Sequence, residues 1–398
     1  MKDKLFTKNY FFSCSANLLL HLGFYLIMPI LALFLLDTFA IKETSVGVIL
    51  SSYTIAAVLI RPFSGFFLDS FSRKKVYLIA LFFFTLCFEA YTIASSILIF
   101  FIFRFLHGIA YGSVSVAGNT IIIDIVPSSR RGEGIGYYGI ANNLAMIIGP
   151  MIGLQLHTWG NYRLVFMTAF LVSVAAFIFG CFIKTPYKQP EIRRPISLDR
   201  FFLKSTLPIG LNLILISAPY GIITIYTTLY AQSTLQSNEI SGTFFTLMAI
   251  GLILSRFFSG KKVDNGRITE VIVIGMSILA FSYCGLWLTN YMANINLLYG
   301  KIMFLCIALF IGYGHGTIAP AMNNVFINMG SNAERGTANS SYLTCWDIGV
   351  GIGFIIGGAI AEHIELCYAY CICFIFTLCS ALIFHNFTSK YYLKTKKQ

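Results

Sequence analysis

Charge is what this sequence has least of. Only 11% of its 398 residues are Asp, Glu, Lys or Arg, where an ordinary soluble domain carries about a quarter. With 57% hydrophobic residues and a mean hydropathy of +0.77, the composition excludes a water-soluble domain and requires a polytopic membrane protein. No phosphate-binding Walker loop is present, which argues against ATP as the driving force. Ser, His and Asp occur inside apolar runs, but no strand–turn–helix elbow presents a nucleophile, which argues against a hydrolase. The ten cysteines all fall in apolar segments. Cys367, Cys371 and Cys373 share one run without zinc-type pairing and read as packing residues, so neither a metal site nor a cofactor is expected. A cleavable leader is not expected either, because the run after Lys2, Lys4 and Lys8 is too long for a signal core.

The few charges are unevenly placed. The net charge of +12 could suggest nucleic acid, but 22 of the 28 Lys and Arg lie in or beside the termini and even-numbered connections. Lys42, Arg163 and Lys301 fall in odd-numbered ones, and Arg61, Arg104 and Arg256 fall inside apolar runs. That asymmetry follows the positive-inside rule, places both termini in the cytoplasm and leaves no basic patch for nucleic acid. The expected location is the cell membrane, with the chain a monomer in the lipid bilayer.

A span needs about 20 apolar residues. Twelve runs qualify, at roughly 9–37, 45–68, 76–96, 98–125, 133–157, 164–184, 204–232, 240–259, 268–289, 298–328, 337–361 and 367–388. The longest connection, from Thr185 to Arg200, holds three prolines and a basic excess and reads as a linker. The predicted organisation is a six-helix bundle over 1–184, a cytoplasmic linker over 185–203 and a second six-helix bundle over 204–398.

A repeat supports the division into halves. Arg61-Pro62-Phe63-Ser64-Gly65-Phe66-Phe67-Leu68-Asp69 matches Arg256-Phe257-Phe258-Ser259-Gly260-Lys261-Lys262-Val263-Asp264, 195 residues later. A second match runs at an offset of 204: Arg131-Gly132 with Arg335-Gly336, Tyr138 with Tyr342, Gly108 and Gly112 with Gly312 and Gly316, Gly149 and Gly153 with Gly353 and Gly357. At the same offset Asn143 aligns with Asp347, so the second copy has an acid where the first has an amide.

The polar residues inside the runs follow helical spacing. Asn17, His21 and Tyr25 fall four apart. Arg104, Gly108, Tyr111, Ser115 and Asn119 form a stripe with His107 on its edge, and such a stripe faces protein or water, not lipid. Gly65 and Asp69 share one face of a helix end: glycine admits a close neighbour, and the carboxylate can accept from a helix start. An ordinary basic loop with a helix-capping Asp fits that spacing equally. Gly139, Asn142, Met146, Gly149 and Gly153 share another face, with Pro150 allowing a bend. Glu89 and Arg104 come out at similar depth and could pair.

These residues resemble the major facilitator superfamily over essentially the whole chain, and drug and metabolite exporters within it. Gly65-x-x-x-Asp69-x-x-x-Arg73-Lys74 is similar to the family's signature between its second and third helices, departing at Ser72, where a glycine is usual. Arg104-x-x-His107-Gly108 is similar to the fourth-helix arginine signature, and Gly149-Pro150-x-x-Gly153 with Gly139 to the fifth-helix signature of proton-coupled antiporters. The resemblance implies an all-α protein of twelve transmembrane helices in two pseudo-symmetric six-helix bundles, with a substrate site near the bilayer midplane between the halves. It implies a charge cluster of Asp69, Arg73 and Asp124 at a cytoplasmic gate. Many drug exporters carry an acid in the first helix; here that helix has His21 and no acid.

Counted inward from the helix ends, His21, Tyr25, Asn142, Asn143, His315 and Asp347 come out near mid-depth. Asp347 is the candidate for proton coupling, because a low-dielectric cavity disfavours a carboxylate's charge while water or a cationic substrate supports it. His21 and His315 either relay protons or donate hydrogen bonds between helices. Tyr25, Arg104, Tyr111, Asn142, Asn143 and Trp346 are the candidate cavity lining. The expected activity is proton-coupled efflux of small organic molecules by alternating access. The alternatives are proton-coupled import of a sugar, peptide or organic anion, and a membrane receptor that moves nothing.

Overall fold

The computed structural model describes residues 4–127, 130–185, 202–237, 239–264, 266–330 and 335–395, without the side chains of residues 65, 69, 131–133, 143, 147, 256–264, 335 and 336. The linker expectation over 185–203 therefore falls almost wholly outside what is described, and of the repeat's second frame at Arg256–Asp264 only the backbone is described.

Among the described residues the chain is helical, with no strand. The first run is broken into α1 (Lys8–Ile27), a short 3-10 turn (Met28–Ile30) and α2 (Leu31–Phe39). Pro29 explains the break: it has no N–H to donate and its ring crowds the preceding turn. Then follow α3 (Glu43–Ser70), α4 (Arg73–Thr92), α5 (Ile97–Ile125), α6 (Arg131–Trp159) and α7 (Tyr162–Phe182). After the linker come α8 (Leu207–Leu235), α9 (Ile240–Asp264), α10 (Ile268–Ile295), α11 (Leu297–Met329), α12 (Arg335–His363), α13 (Cys367–Ile383) and the short α14 (Ser389–Thr395). Eleven described helical stretches are long and apolar enough to cross a membrane, and Ile240–Ser255 of α9 is a shorter apolar one. Side-chain caps start several helices: the Thr7, Ser96, Asn161 and Asn296 oxygens accept from backbone N–H groups at the starts of α1, α5, α7 and α11, satisfying donors a helix start leaves free.

The chain divides into two compact units, residues 1–28 with 52–201 and residues 29–51 with 202–398. The division runs through the 3-10 turn at Met28, so α2 and the first turns of α3 belong with the second unit.

In the first unit, α1 packs on α6 and α7, and α4 on α5 and α7. Asn9 ties the start of α1 to the end of α7 through a reciprocal pair: Nδ2 donates to the Lys184 carbonyl at 2.6 Å and Oδ1 accepts from the Lys184 N–H at 2.7 Å. In the second unit, α8 packs on α12, and α11 on α9 and α10. There α3 begins hard against α12: Gly47 faces the Phe354 carbonyl, Gly358 faces that of Glu43, and Glu362 pairs with Lys42 at 3.0 Å while accepting the Thr44 N–H at 3.3 Å.

The repeat reappears as paired contacts. Gly108 of α5 lies against the Tyr53 carbonyl of α3, and Gly112 against that of Ala57. In the second unit Gly312 of α11 lies against the Met248 carbonyl of α9, and Gly316 against Leu252 and Ser255. Met248 and Leu252 stand 195 residues after Tyr53 and Ala57, and the glycines 204 after theirs. Each contact brings backbone against backbone, which a side chain on the glycine would prevent.

Candidate functional site

In the first unit, four segments converge on a buried cation. The four-residue connection after Thr92 folds α5 back along α4, so Tyr91 stacks on Phe100 with ring centroids 4.8 Å apart and lies close to Arg104. Arg104 has no solvent exposure. Its Nη1 donates to the Tyr91 hydroxyl at 3.3 Å and its Nη2 meets the Met28 sulfur at 3.6 Å. Its Nε is buried with no hydrogen-bond partner. The guanidinium carbon lies 4.4 Å from the Tyr53 ring centroid and 6.0 Å from that of Phe24. No carboxylate of the described residues pairs with it. Glu89 accepts from Thr92 Oγ1 instead, so the ion pair suggested by matching depth is not formed.

The guanidinium is a cation with five N–H donors. Removing it from water costs several kcal/mol. Two ring faces return about 0.5–2 kcal/mol each, and a phenol oxygen and a thioether are modest acceptors. By polar contacts alone the group is underserved.

Tyr91 passes the pattern on. Its hydroxyl accepts from Arg104 and lies 2.7 Å from His107 Nδ1. The arrangement that uses the phenol's own hydrogen gives it to Nδ1 and places the imidazole proton on Nε2. That atom is buried and has no hydrogen-bond partner, with Phe84 and Phe88 around the ring at 4.5 and 4.9 Å between centroids. Next to the cation, Phe24 stacks on Tyr53 (5.0 Å, 19°) and Tyr111 (5.4 Å, 15°). His21 meets Tyr25 and Tyr111 and uses Nδ1 to donate to the Asn17 carbonyl at 2.9 Å, while Asn17 Nδ2 donates to the Tyr138 carbonyl. Asn142 is half-buried, and its Oδ1 has no hydrogen-bond partner. The side chain of Asn143 lies outside the described residues. Sequence reasoning therefore found Arg104, Tyr111, His21 and Tyr25 of this cluster but missed Phe24, Met28, Tyr53 and Tyr91.

The second unit has its own cluster. His315 of α11 is buried; its Nε2 bonds the Tyr283 hydroxyl at 2.8 Å and its Nδ1 has no hydrogen-bond partner. Tyr220 of α8 joins His315 (5.2 Å) to Trp346 (5.3 Å), and Trp346 stacks with Tyr342 one turn before it on α12. Asp347, next along α12, is 8% exposed.

At the predicted cytoplasmic end, Arg73 at the start of α4 and Asp124 at the end of α5 form an ion pair. Gly65 and Asp69 lie on α3, their side chains outside the described residues. Of the fifth-span signature, Gly149 and Gly153 receive Tyr25 and Leu26 of α1, and Pro150 is buried between them. Gly139 differs: a side-chain carbon added there would meet nothing within 4 Å.

The profile of the Major Facilitator Superfamily matches residues 13–353 and 211–397. The chain belongs to this superfamily. It is 21% identical over 343 residues to the staphylopine export protein of Staphylococcus aureus strain Mu50, covering 83% of this chain and 84% of that one. It is 24% identical over 364 residues to the quinolone resistance protein NorA of Staphylococcus aureus strain MRSA252, covering 87% and 88%. Its backbone is similar to a crystal structure of a D-xylose-proton symporter (TM-score 0.78, 15% identity, 96% and 97% covered) and to one of the nucleoside transporter NupG (TM-score 0.72, 14% identity, 95% and 98% covered). The likeness to these solved structures establishes the fold. The chain is a multi-pass membrane transporter of small molecules with the twelve-helix major facilitator architecture.

Proposed function

We propose that this transporter is a proton-driven exporter of small organic molecules that works by alternating access in the cell membrane, as a monomer with both termini in the cytoplasm. The names of the two curated relatives, one an export protein and one a drug-resistance protein, support efflux. The Gly149-Pro150-x-x-Gly153 run supports antiport, and the one-sided basic residues support the orientation. Asp347 carries the coupling part of the reading. It is an acid buried inside a span, and an ionisable group in that position serves function by default. Taking up a proton at Asp347 on one side of the membrane and releasing it on the other couples proton movement to the alternation that carries substrate. His21 and His315 relay the proton; Tyr25, Arg104, Tyr111, Asn142, Asn143 and Trp346 line the path; Arg73 and Asp124, with Asp69 and Gly65, form the cytoplasmic gate.

The test uses proteoliposomes with an imposed proton gradient and a fluorescent quinolone as first probe. Wild-type protein accumulates it uphill. The Asp347→Asn variant keeps its thermal unfolding profile, and its uphill accumulation falls about fivefold or more. Undiminished uphill transport by that variant removes Asp347 from the mechanism. Direction is read in cells: deleting an exporter raises the intracellular probe level, and a fall supports import.

A further inference from the structure

We propose that the Arg104 cage in the first unit binds the carboxylate of an aromatic organic anion. This deepens the transport reading by naming a substrate class, and rests on it only for the statement that the anion is cargo.

The unpartnered polar atoms of the Arg104–Tyr91–His107 cluster point to the ligand's chemistry. Arg104 Nε is buried without a partner, and so is His107 Nε2. The first is a donor always. The second is a donor in the arrangement that gives the Tyr91 hydrogen to His107 Nδ1. A site with spare donors, a positive charge and no paired acid among the described residues is short of an anionic acceptor. A carboxylate supplies two oxygens in the plane that the guanidinium fork matches. The partners it would displace are poor ones: a thioether at 3.6 Å and a phenol at 3.3 Å.

The surroundings describe the rest of the ligand. Arg104 has no exposure, and His21, Phe24, Tyr25 and Tyr111 of the same cluster are buried with 6–9%. Those side chains are all rings, stacked face to face at Phe24–Tyr111 and edge-on at His21–Tyr111. A flat aromatic body bonded to the carboxylate lies among them by stacking, which tolerates many ring systems. The selected feature is therefore one negative charge beside an arene.

The experiment is a thermal-shift titration of the purified full chain in detergent with benzoate, 2-naphthoate and 4-biphenylcarboxylate, each beside its carboxamide. The expected result is that at least one acid raises the unfolding temperature in a saturable way while its amide does not. In Arg104→Gln that preference disappears. In Arg104→Lys, which keeps the charge and loses the planar fork, the dissociation constant of the acid rises about tenfold. No acid preference for any pair in the wild type overturns the proposal, as does an acid preference that persists in folded Arg104→Gln. If Arg104→Gln does not fold, an unchanged dissociation constant in Arg104→Lys overturns it. Equilibrium binding needs no gradient, so failure of proton-driven export leaves this readout intact. Equally, loss of the acid preference leaves Asp347-dependent flux standing.

Discussion

The two repeats share a packing frame and carry opposite charges in it. Gly108 and Gly112 approach the carbonyls of Tyr53 and Ala57; Gly312 and Gly316 approach the equivalent residues of α9. At the 204-residue offset of those glycines, however, Arg104 corresponds to Ala308, which is fully buried, and Asp347 corresponds to Asn143. The first repeat thus holds a cation with no acid partner among the described residues, and the second holds an acid. Backbone proximity fixes the frame, because only glycine lets two helices meet there. It does not fix the polar residues a turn away, which are free to differ. The fold is a property of both copies, and the chemistry belongs to each separately.

The largest effect expected from breaking this asymmetry is at Asp347. Asp347→Asn gives the second repeat the amide of the first, and lowers gradient-driven accumulation by about 5–150-fold, the span of a coupling free energy of roughly 1–3 kcal/mol. Counterflow, which exchanges substrate without net proton movement, survives in the same proteoliposomes. A variant that loses both has lost binding or folding, and then the contrast between the repeats is not about protons.

Next come the glycines, where the repeats should behave alike. Gly108→Ala and Gly312→Ala each push a methyl group onto a carbonyl of the neighbouring helix and destabilise by about 1–3 kcal/mol. Gly139→Ala meets open space and stays within about 0.5 kcal/mol or stabilises slightly, since Ala favours helix over Gly. Reversible unfolding in mixed micelles measures all three. A tolerant Gly312 beside an intolerant Gly108 would mean the frames are not equivalent.

These glycines show why part of the molecule is legible in sequence. A glycine's demand is for the absence of a side chain, so its spacing alone announces a close helix pair, and the two offsets found in the sequence recur as contacts. The break at Pro29 is not legible in the same way: Pro62, Pro150, Pro219 and Pro320 all lie inside continuous helices. Arg104 is legible because a charge inside an apolar run is rare. Its cage is not: with 38 Phe and 22 Tyr in the chain, nothing sets Tyr53 and Phe24 apart until helices α1 and α3 are placed around α5. Tyr91 had the best signal, because a short connection between antiparallel helices brings it beside the start of α5. The Met28 boundary between units was hidden for another reason. It depends on which neighbours α2 and the start of α3 find, and those lie far along the sequence on α8 and α12.

The ion pairs give the last contrast, which ends in the smallest effects. Arg73 and Asp124 in the first unit are both mostly shielded, with side-chain exposures of 13% and 20%. Arg73→Gln costs about 1.5–3 kcal/mol, the range of a hydrogen bond to a charged group. In the second unit Lys42 is 79% exposed and its partner Glu362 only 14%, so water and salt screen this pair far more. The carboxylate has a second task, accepting the Thr44 N–H in the first turn of α3, where a negative group also meets the positive end of the helix. The two tasks separate by substitution. Lys42→Ala removes the screened pair and leaves the cap, and should not move the unfolding temperature measurably at 0.5 M salt, roughly where the Debye length drops below 5 Å. Glu362→Gln keeps an acceptor for Thr44 and should cost little more. Glu362→Ala removes cap and pair together and should show the largest drop of the three, still smaller than that of Arg73→Gln. If Lys42→Ala and Glu362→Ala are equally harmful at high salt, the cap contributes nothing, and the hold of α12 on the start of α3 rests on the Gly47 and Gly358 backbone contacts alone.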